Sequence, residues 1–345
     1  MGTRDSFGAR HPPYAALWIV FFTIAFGLGY PALNRYDTTQ SPGTADSLQY
    51  SRMVERGPAA AVDHWRYRVL IPSLAQPIAR AASGHVGSWN PVSLALLIVN
   101  ASFCAASGVM LVAIGLAFGF PFVTGLVAAF AWLLNFQVAN FYLAGIVDSA
   151  EACLMMALAL VLRRRMWNLL PLLGAIGGVA KETAVPLALL FAWGWVWRAP
   201  RKPWIQIGGL AVLGLAVVVL VHYGIDGRVT TPWQIVAQER HVGGWADIGR
   251  AALKPFTSWV TWITVVWMLP FAFRAVSRLP GDVISATAAA VGGVFALVVW
   301  HDAGSNLARP LFSVAGPLVC LAFAIGVTQG SAASGADVAC HNAGS

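Results

Sequence analysis

The chain has 345 residues, of which 58% are hydrophobic and only 10% are charged, against about 25% charged residues in an ordinary soluble domain. Its 15 tryptophans, 34 glycines and mean hydropathy of +0.68 are typical of a helical membrane bundle. This composition excludes a soluble enzyme, a disordered chain and a nucleic-acid-binding module. We interpret the net charge of +8 as a membrane-orientation signal, because Lys and Arg between apolar runs set topology or meet lipid headgroups.

Apolar runs of about 20 residues, enough to cross a hydrocarbon core of about 30 Å, predict an all-α polytopic membrane bundle. The arginines of the short loops, such as Arg163, fall on one side if the N-terminus is cytoplasmic. We therefore predict a single inner-membrane domain over 1–328, with about ten spans, some of them short or re-entrant, and a disordered tail over 329–345. The predicted spans are 14–33, 91–118, 121–138, 141–162, 167–180, 183–198, 204–223, 256–273, 282–300 and 308–327.

The four cysteines have neither the paired spacing of a zinc site nor that of a disulfide framework. The sequence therefore predicts no structural metal, no disulfide and no cofactor. It leaves a divalent metal ion open without indicating one.

The segment 167–198 must leave the cytoplasm and return, although its middle carries the charged pair Lys181 and Glu182. At about 1.5 Å per residue, two arms of about 14 residues reach only about 21 Å each. We expect a re-entrant hairpin with a polar apex inside the protein. Gly174 and Gly178 form a G-x-x-x-G pair that favours close helix packing rather than phosphate binding.

Two outer loops, 34–90 and 224–255, mix charges with aromatic residues and are too long to be simple connectors. In the first loop, the spacing predicts an amphipathic helix that presents Asp46 and Tyr50 on one face. A second helix is predicted around Pro72. Both helices are expected to lie along the membrane surface.

Charges inside predicted spans are few, and each has two interpretations, because a buried ion persists only when it is paired or used. Asp148 and Glu151, at i and i+3, share one helix face, unless the helix begins later and leaves Asp148 as a solvated cap. Lys181 suits a phosphate oxygen as a point charge, or forms an internal ion pair with a carboxylate. Two more cations, Arg309 and His301, lie near the outer face. Arg309 begins the last span, where its guanidinium either binds a lipid phosphate or anchors the helix to headgroups.

A general base that activates a hydroxyl must reach a water boundary. Asp46 stands on an amphipathic turn that can present it there, although it can equally cap its own helix, and Asp37 is the rival carboxylate. In the same loop, Trp65 and Tyr67 precede Arg68 in a cationic and aromatic cluster. The cluster either stacks against a sugar or anchors the loop at the membrane interface.

In their order along the chain these features resemble polytopic glycosyltransferases of the GT-C class, with the small mannosyltransferase of GPI-anchor assembly as the nearest analogy. The resemblance covers about residues 14–200, and beyond them only hydropathy matches. It rests on five strings: Asp46-Ser-Leu-Gln-Tyr50, Tyr67-Arg68-Val-Leu-Ile-Pro72, Tyr142-Leu-Ala-Gly-Ile-Val-Asp148-Ser-Ala, Arg163-Arg-Arg165 and Ala180-Lys-Glu-Thr183.

The resemblance implies an inverting transfer from a polyprenyl-phosphate sugar to a lipid, glycan or protein acceptor on the outer, periplasmic side. By analogy, Asp46 takes the proton of the acceptor hydroxyl, Lys181 and Arg309 offset the charge of the departing phosphate, and Asp148 orients Lys181. The acidic motif here is one aspartate rather than an adjacent pair, which keeps Asp37 as an alternative base. The residues predicted to bind substrate are Lys181, Glu182, Arg309, Asp148, Tyr50, Arg68 and His301.

The alternative function is a membrane transporter or a flippase for lipid-linked sugars, in which Asp148 and Lys181 form part of a substrate or proton pathway. The sequence offers no matching Gly- or Pro-broken segments in its two halves to favour it. The enzyme hypothesis requires Asp46 and Lys181 to converge on one site, and this is the geometric difference between the two hypotheses.

Overall fold

The computed structural model describes residues 12–35, 45–199, 202–230, 259–301 and 308–342, with a few positions between 231 and 258. All regular structure in these ranges is helical. Four helices are long and apolar enough to cross a membrane, and shorter apolar helices accompany them. The all-α class and the multi-pass membrane character therefore agree with the sequence. The four long apolar segments are Tyr14–Pro31, Pro91–Ala117, Trp204–Asp226 and Ala308–Gln329.

The helices are labelled here in chain order. The described α-helices are α1 (Tyr14–Arg35), α2 (Ala45–Arg56), α3 (Leu70–Ala82), α4 (Pro91–Ala117), α5 (Phe122–Leu133), α6 (Asp148–Arg163), α7 (Leu170–Ala180), α8 (Ala184–Arg198), α9 (Trp204–Asp226), α10 (Trp259–Val265), α11 (Leu269–Ala275), α12 (Gly281–His301) and α13 (Ala308–Asn342). The last of them continues past 329, into the segment predicted as a tail.

Several predicted spans are shorter as helices. The run 121–138 ends as a helix at Leu133, because polar side chains beyond it bond to a distant segment: Asn135 donates to the carbonyl of Thr264 at 2.8 Å, and Gln137 donates to its hydroxyl at 2.9 Å. Asn135 also accepts at Oδ1 from the backbone N–H of Gln137 at 3.0 Å, and local side-chain bonds of this kind compete with the helical ladder. The run 141–162 becomes α-helical only at Asp148, after a short π-helix over Val138–Tyr142.

The predicted span 256–273 is not one helix in the described residues. It contains α10 and α11, which are separated by a turn over Val266–Met268. Pro270 lies in the first turn of α11, where a proline fits because its missing N–H has no helical partner there.

Helix α4 lies at the centre of the bundle and packs against α1, α3, α5 and α6. Its start is fixed by Asn90, whose side chain accepts hydrogen bonds from the backbone N–H groups of Val92 (2.8 Å) and Ser93 (3.1 Å). Helix α13 packs against α5, α6 and α11, and thereby brings its first turn to the start of α6.

The hairpin predicted over 167–198 is confirmed as a pair of helices, α7 and α8, joined by the short polar apex 181–183. A Cβ atom on Gly178 would stand 2.6 Å from the carbonyl oxygen of Gly214, and one on Gly174 would meet the backbone of Leu210. The G-x-x-x-G pair therefore serves close packing of α7 on α9, as the sequence predicted.

Candidate functional site

Charged side chains from four separate parts of the chain meet at one end of the bundle. They come from the first turn of α2, the first turn of α6, the apex between α7 and α8, and the first turn of α13. Carboxylates in a helical first turn are favoured by the helix dipole, which helps α6 to begin at Asp148. The backbone of Lys181 is extended and ends α7. The hairpin therefore turns at Lys181, and the side chain of this residue lies at the apex.

Lys181 is held between two carboxylates of α6. Its Nζ donates to Oδ1 of Asp148 and to Oε2 of Glu151, both at 2.8 Å, and Thr183 donates to the other oxygen of Glu151 at 3.2 Å. Glu151 is fully buried and Asp148 is buried. The structure therefore contradicts the solvated-cap interpretation of Asp148 and supports the internal ion pair for Lys181.

Arg309 extends this network to the outer loop. Its two terminal nitrogens donate to Oδ2 of Asp46 at 3.1 and 3.0 Å, and one of them lies 3.8 Å from Oδ2 of Asp148. Its guanidinium also lies 5.9 Å from the ring centroid of Phe141. A continuous ionic network thus runs from Asp46 through Arg309, Asp148 and Lys181 to Glu151, and it joins the two residues whose convergence the enzyme hypothesis requires.

A second ion pair lies beside this network. Arg68 donates through Nε to both carboxylate oxygens of Glu182 at 3.1 Å, makes a further short contact with the same carboxylate, and donates to the hydroxyl of Tyr50 at 3.3 Å. Burial lowers the pKa of Arg68, but the charges and hydrogen bonds of Glu182 and Tyr50 together outweigh burial, so the pKa is raised. Burial raises the pKa of Tyr50 to about 12, so this hydroxyl stays protonated at neutral pH.

His64 lies close to these charges in the outer loop. Burial and, to a smaller extent, the positive charge of Arg68 lower its pKa to about 4, against the opposing effect of Glu182. The imidazole is therefore neutral at pH 7. The four carboxylates of the two ion-pair groups then face three cations, Arg68, Lys181 and Arg309.

The pair formed by Asp46 and Arg309 is the most open part of the site. Their side chains are 23% and 18% exposed, whereas those of Lys181 and Glu151 are 10% and 0% exposed. A molecule that enters the site therefore meets Asp46 and Arg309 before it meets the Lys181 cluster. Chemically, this edge offers a carboxylate that can accept a proton and a guanidinium that can bind an oxyanion.

Two of the predicted site residues cannot be placed. Asp37 lies outside the described residues, and His301 is described only by its backbone, at the end of α12. The second outer loop, 224–255, falls mostly outside the described residues as well. The remaining predicted residues, Asp46, Tyr50, Arg68, Asp148, Lys181, Glu182 and Arg309, all belong to the two ion-pair groups.

Sequence reasoning left out of the predicted site some residues that the structure brings to it. Glu151 is the second partner of Lys181, and its i+3 spacing from Asp148 was the available signal. Tyr142 is buried and its hydroxyl lies 2.7 Å from that of Ser313, one helical turn beyond Arg309. Together with the bond from the Tyr142 hydroxyl to the carbonyl of Arg309 at 3.4 Å, this contact holds the start of α13 against the short π-helix Val138–Tyr142.

The aromatic cluster of the outer loop is fastened to α9. The Tyr67 hydroxyl donates to Asp226 at 2.6 Å, Arg66 pairs with the same carboxylate at 3.2 Å, and the Tyr67 ring stacks on His222 with centroids 3.4 Å apart. The Tyr67 ring is therefore occupied by a protein partner. This contact argues against sugar stacking on that face of Tyr67, and anchoring of the cluster at the membrane interface stays a prediction.

Among the described residues there is no group of three His, Cys, Asp or Glu side chains arranged to hold a metal ion. Each carboxylate of the ionic network instead faces a cation of the protein. Comparison of the chain with protein-family models, with curated proteins and with solved structures found no match.

Proposed function

We propose that the protein is a GT-C-type membrane glycosyltransferase that moves a sugar, with inversion, from a polyprenyl-phosphate donor to an acceptor at the outer face of the plasma membrane. The observation that carries the proposal is the partly exposed contact between Asp46 and Arg309 at the edge of a buried ionic network. A carboxylate and a guanidinium at the same edge are the two groups that such a transfer needs.

In the proposed reaction, the donor phosphate draws the Arg309 guanidinium away from Asp46, which frees this carboxylate. Asp46 then accepts the proton of the acceptor hydroxyl, while the oxygen of that hydroxyl bonds to the anomeric carbon of the sugar. The bond between that carbon and the phosphate oxygen breaks, and polyprenyl phosphate leaves with its charge offset by Arg309. Arg309 suits this role better than Lys181, because two carboxylates already hold the Lys181 ammonium.

The Lys181 cluster has a supporting role in this proposal. Asp148 accepts from Lys181 at 2.8 Å and lies 3.8 Å from Arg309, so it holds both cations in place. The acceptor is a lipid, glycan or protein hydroxyl. A fold of about ten spans, with the N-terminus in the cytoplasm, is part of the same proposal.

A small apolar recess of about 30 Å³ lies deeper in the bundle than the ionic network. The recess lies between α4, α6, α8, α12 and α13, and its lining includes Met155 and Val314. These two residues follow Asp148 and Arg309 on the same helices by seven and five positions, or about 10 and 8 Å at 1.5 Å per residue. The recess has about the volume of one water molecule, so the proposal of a lipid-linked donor rests on the Asp46–Arg309 edge and not on this recess.

A transporter or lipid-sugar flippase is the second candidate, and the burial of the Lys181 cluster favours it. Ionisable groups buried among apolar helices often mark a substrate or proton pathway. In that case Lys181 and Glu151 carry the function, and Asp46 affects only the stability of the protein.

The test is release of polyprenyl phosphate from a panel of polyprenyl-phosphate sugars by the purified full-length chain in lipid, with a membrane extract as acceptor. Asp46→Asn and Arg309→Gln are each expected to lower the rate by about 10²-fold or more. Glu55→Gln is the matched control, because Glu55 is an exposed carboxylate on the same helix as Asp46. Its rate should equal that of the unmodified protein.

Thermal unfolding of each variant separates lost chemistry from lost folding. Absence of release with every donor, together with absence of binding of a labelled donor, would overturn the enzyme hypothesis. Flux of the same donors across vesicles that depends on Lys181 but not on Asp46 would establish the transporter instead.

A further inference from the structure

A polar cavity of about 200 Å³ lies at the opposite end of α6 from the ionic network. It forms where the ends of α6 and α8 meet the starts of α9 and α12, and its lining includes Arg163, Arg165, Trp167, Trp195 and Asp282. Helix α6 alone separates the two regions by about 22 Å, at 1.5 Å per residue. The cavity is therefore distinct from the candidate functional site.

The backbone at Arg165 is left-handed, with φ of 57°. Its N–H donates to the carbonyl of Leu162 at 3.3 Å, and the N–H of Met166 donates to that of Val161 at 3.0 Å. This is the helix-ending motif that normally has glycine at the left-handed position. An arginine there costs about 1 kcal/mol relative to glycine. The backbone conformation therefore does not explain the arginine at this position, which points to a role of its side chain.

The two arginines of the lining are in different situations. Arg163 donates through Nε to the carbonyl of Ala117 at 3.1 Å and lies over the ring of Phe118, with 5.2 Å to the centroid. Arg165 has no hydrogen-bond or ion-pair partner for its side chain in the described part of the chain. The cavity is thus lined by Arg163, which other protein groups hold in place, and by Arg165, which has no partner among the described residues.

Asp282 is the acidic member of the lining. Its Oδ1 accepts from the backbone N–H of Val283 at 2.9 Å, and no side chain of the described residues donates to its second carboxylate oxygen. Two arginines and one aspartate give the lining a net positive charge, so it favours an anion. Asp282 further favours an anion that also carries a hydrogen-bond donor.

The surroundings place the cavity where lipid headgroups lie. Trp195 is buried in its wall, while Trp197 and Trp204 nearby are 70% and 51% exposed. Exposed tryptophans at helix ends are typical of a membrane interface. The helix that starts beside the cavity, α9, is also one of the four long enough to cross the membrane.

We propose that this cavity binds the phosphodiester headgroup of a glycerophospholipid whose headgroup also donates a hydrogen bond, such as ethanolamine or glycerol. Arg165 and Arg163 bind the phosphate, and Asp282 accepts from the ammonium or hydroxyl group. A choline headgroup has the phosphate but no donor, and it therefore binds more weakly.

The test is native mass spectrometry of the full-length protein in detergent, titrated separately with phosphatidylethanolamine, phosphatidylglycerol and phosphatidylcholine. The unmodified protein should retain one molecule of either donor-bearing lipid more tightly than phosphatidylcholine. Arg165→Gly should weaken this binding at least about tenfold without lowering the unfolding temperature, because glycine relieves the strained backbone. Asp282→Ala should remove the preference over phosphatidylcholine, because alanine has no oxygen that accepts from the headgroup.

Arg164→Gln is the matched control, because it removes a neighbouring exposed charge that does not line the cavity. Its lipid binding should be unchanged. Equal loss in Arg164→Gln and Arg165→Gly would indicate general attraction to anionic surfaces and would overturn the site. Displacement of the bound lipid by millimolar inorganic phosphate would identify a soluble phosphate, rather than a lipid headgroup, as the occupant.

Discussion

The charged residues at the two ends of α6 differ in burial and in pairing. At its start, Asp148 and Glu151 are buried and paired with cations that arrive from the hairpin apex and from α13. At its end, Arg163 and Arg165 are exposed beside a polar cavity that contains a single acid. A charge inside the bundle requires a partner from elsewhere in the chain, whereas a charge at the surface is satisfied by water or by a ligand.

This contrast separates residues that hold the fold together from residues that are free to bind. The start of α6 joins the outer loop, the hairpin and the last helix through ion pairs, so a change there affects folding as well as function. The end of α6 contributes exposed arginines to a cavity whose other walls come from α8, α9 and α12, and no ion pair of these arginines joins the described helices. Substitutions there should leave the fold intact and change only what the protein binds.

The largest expected effect is the loss of the cation that joins the two carboxylates. Lys181→Met should lower the free energy of unfolding by about 3–5 kcal/mol, because it leaves Asp148 and Glu151 buried without their common partner. Lys202→Met, which removes an exposed lysine near the other end, should change it by less than about 0.5 kcal/mol. Thermal and denaturant unfolding of the purified proteins measure both.

A triple variant sharpens this prediction. Adding Asp148→Asn and Glu151→Gln to Lys181→Met removes the charges that the lysine neutralised, and should restore part of the lost stability. Equal stability of the single and triple variants would show that the loss comes from packing and not from unpaired charge.

The position of the hairpin that carries Lys181 depends on close backbone packing. Gly178→Ala should destabilise the protein by about 1–3 kcal/mol, because the new methyl group meets the carbonyl of Gly214. Gly208→Ala on α9 should instead stabilise it by up to about 1 kcal/mol, since nothing lies within 4 Å of its Cβ position and alanine favours the helix. The same sign for both substitutions would refute the packing argument.

A smaller effect is expected from pH at the outer loop. The pKa of His64 is lowered from its ordinary 6.5 to about 4 in the folded protein, chiefly by burial, so the unfolded chain binds a proton that the folded chain does not. The stability that depends on neutral His64 is therefore complete above pH 6.5 and is lost as the pH falls from 6.5 to about 4. His64→Gln should remove this part of the pH dependence.

The exposed His85 provides the comparison for that titration. Unfolding curves of His85→Gln between pH 7 and pH 4 should retain the slope of the unmodified protein. A His64→Gln variant with an unchanged slope would place the titrating group elsewhere.

Much of the helical framework follows from local pattern. The long apolar runs gave α1, α4, α9 and the apolar part of α13, and the polar interruption at Lys181 and Glu182 predicted the paired helices of the hairpin. The G-x-x-x-G pair predicted close packing, although not that α9 would be the partner. Helix ends were predicted less well where side chains such as Asn135 and Gln137 bond to a distant segment.

The sequence by itself determined the composition of the bundle, its apolar helices and the residue types of the site, because hydropathy and helical spacing are local properties. It left each charge with two interpretations. Only the tertiary structure supplied their partners, since it placed Lys181 between Asp148 and Glu151 and brought Arg309 to Asp46 across most of the chain. Which buried charges meet depends on how helices pack, and packing is a property of the whole chain rather than of any segment.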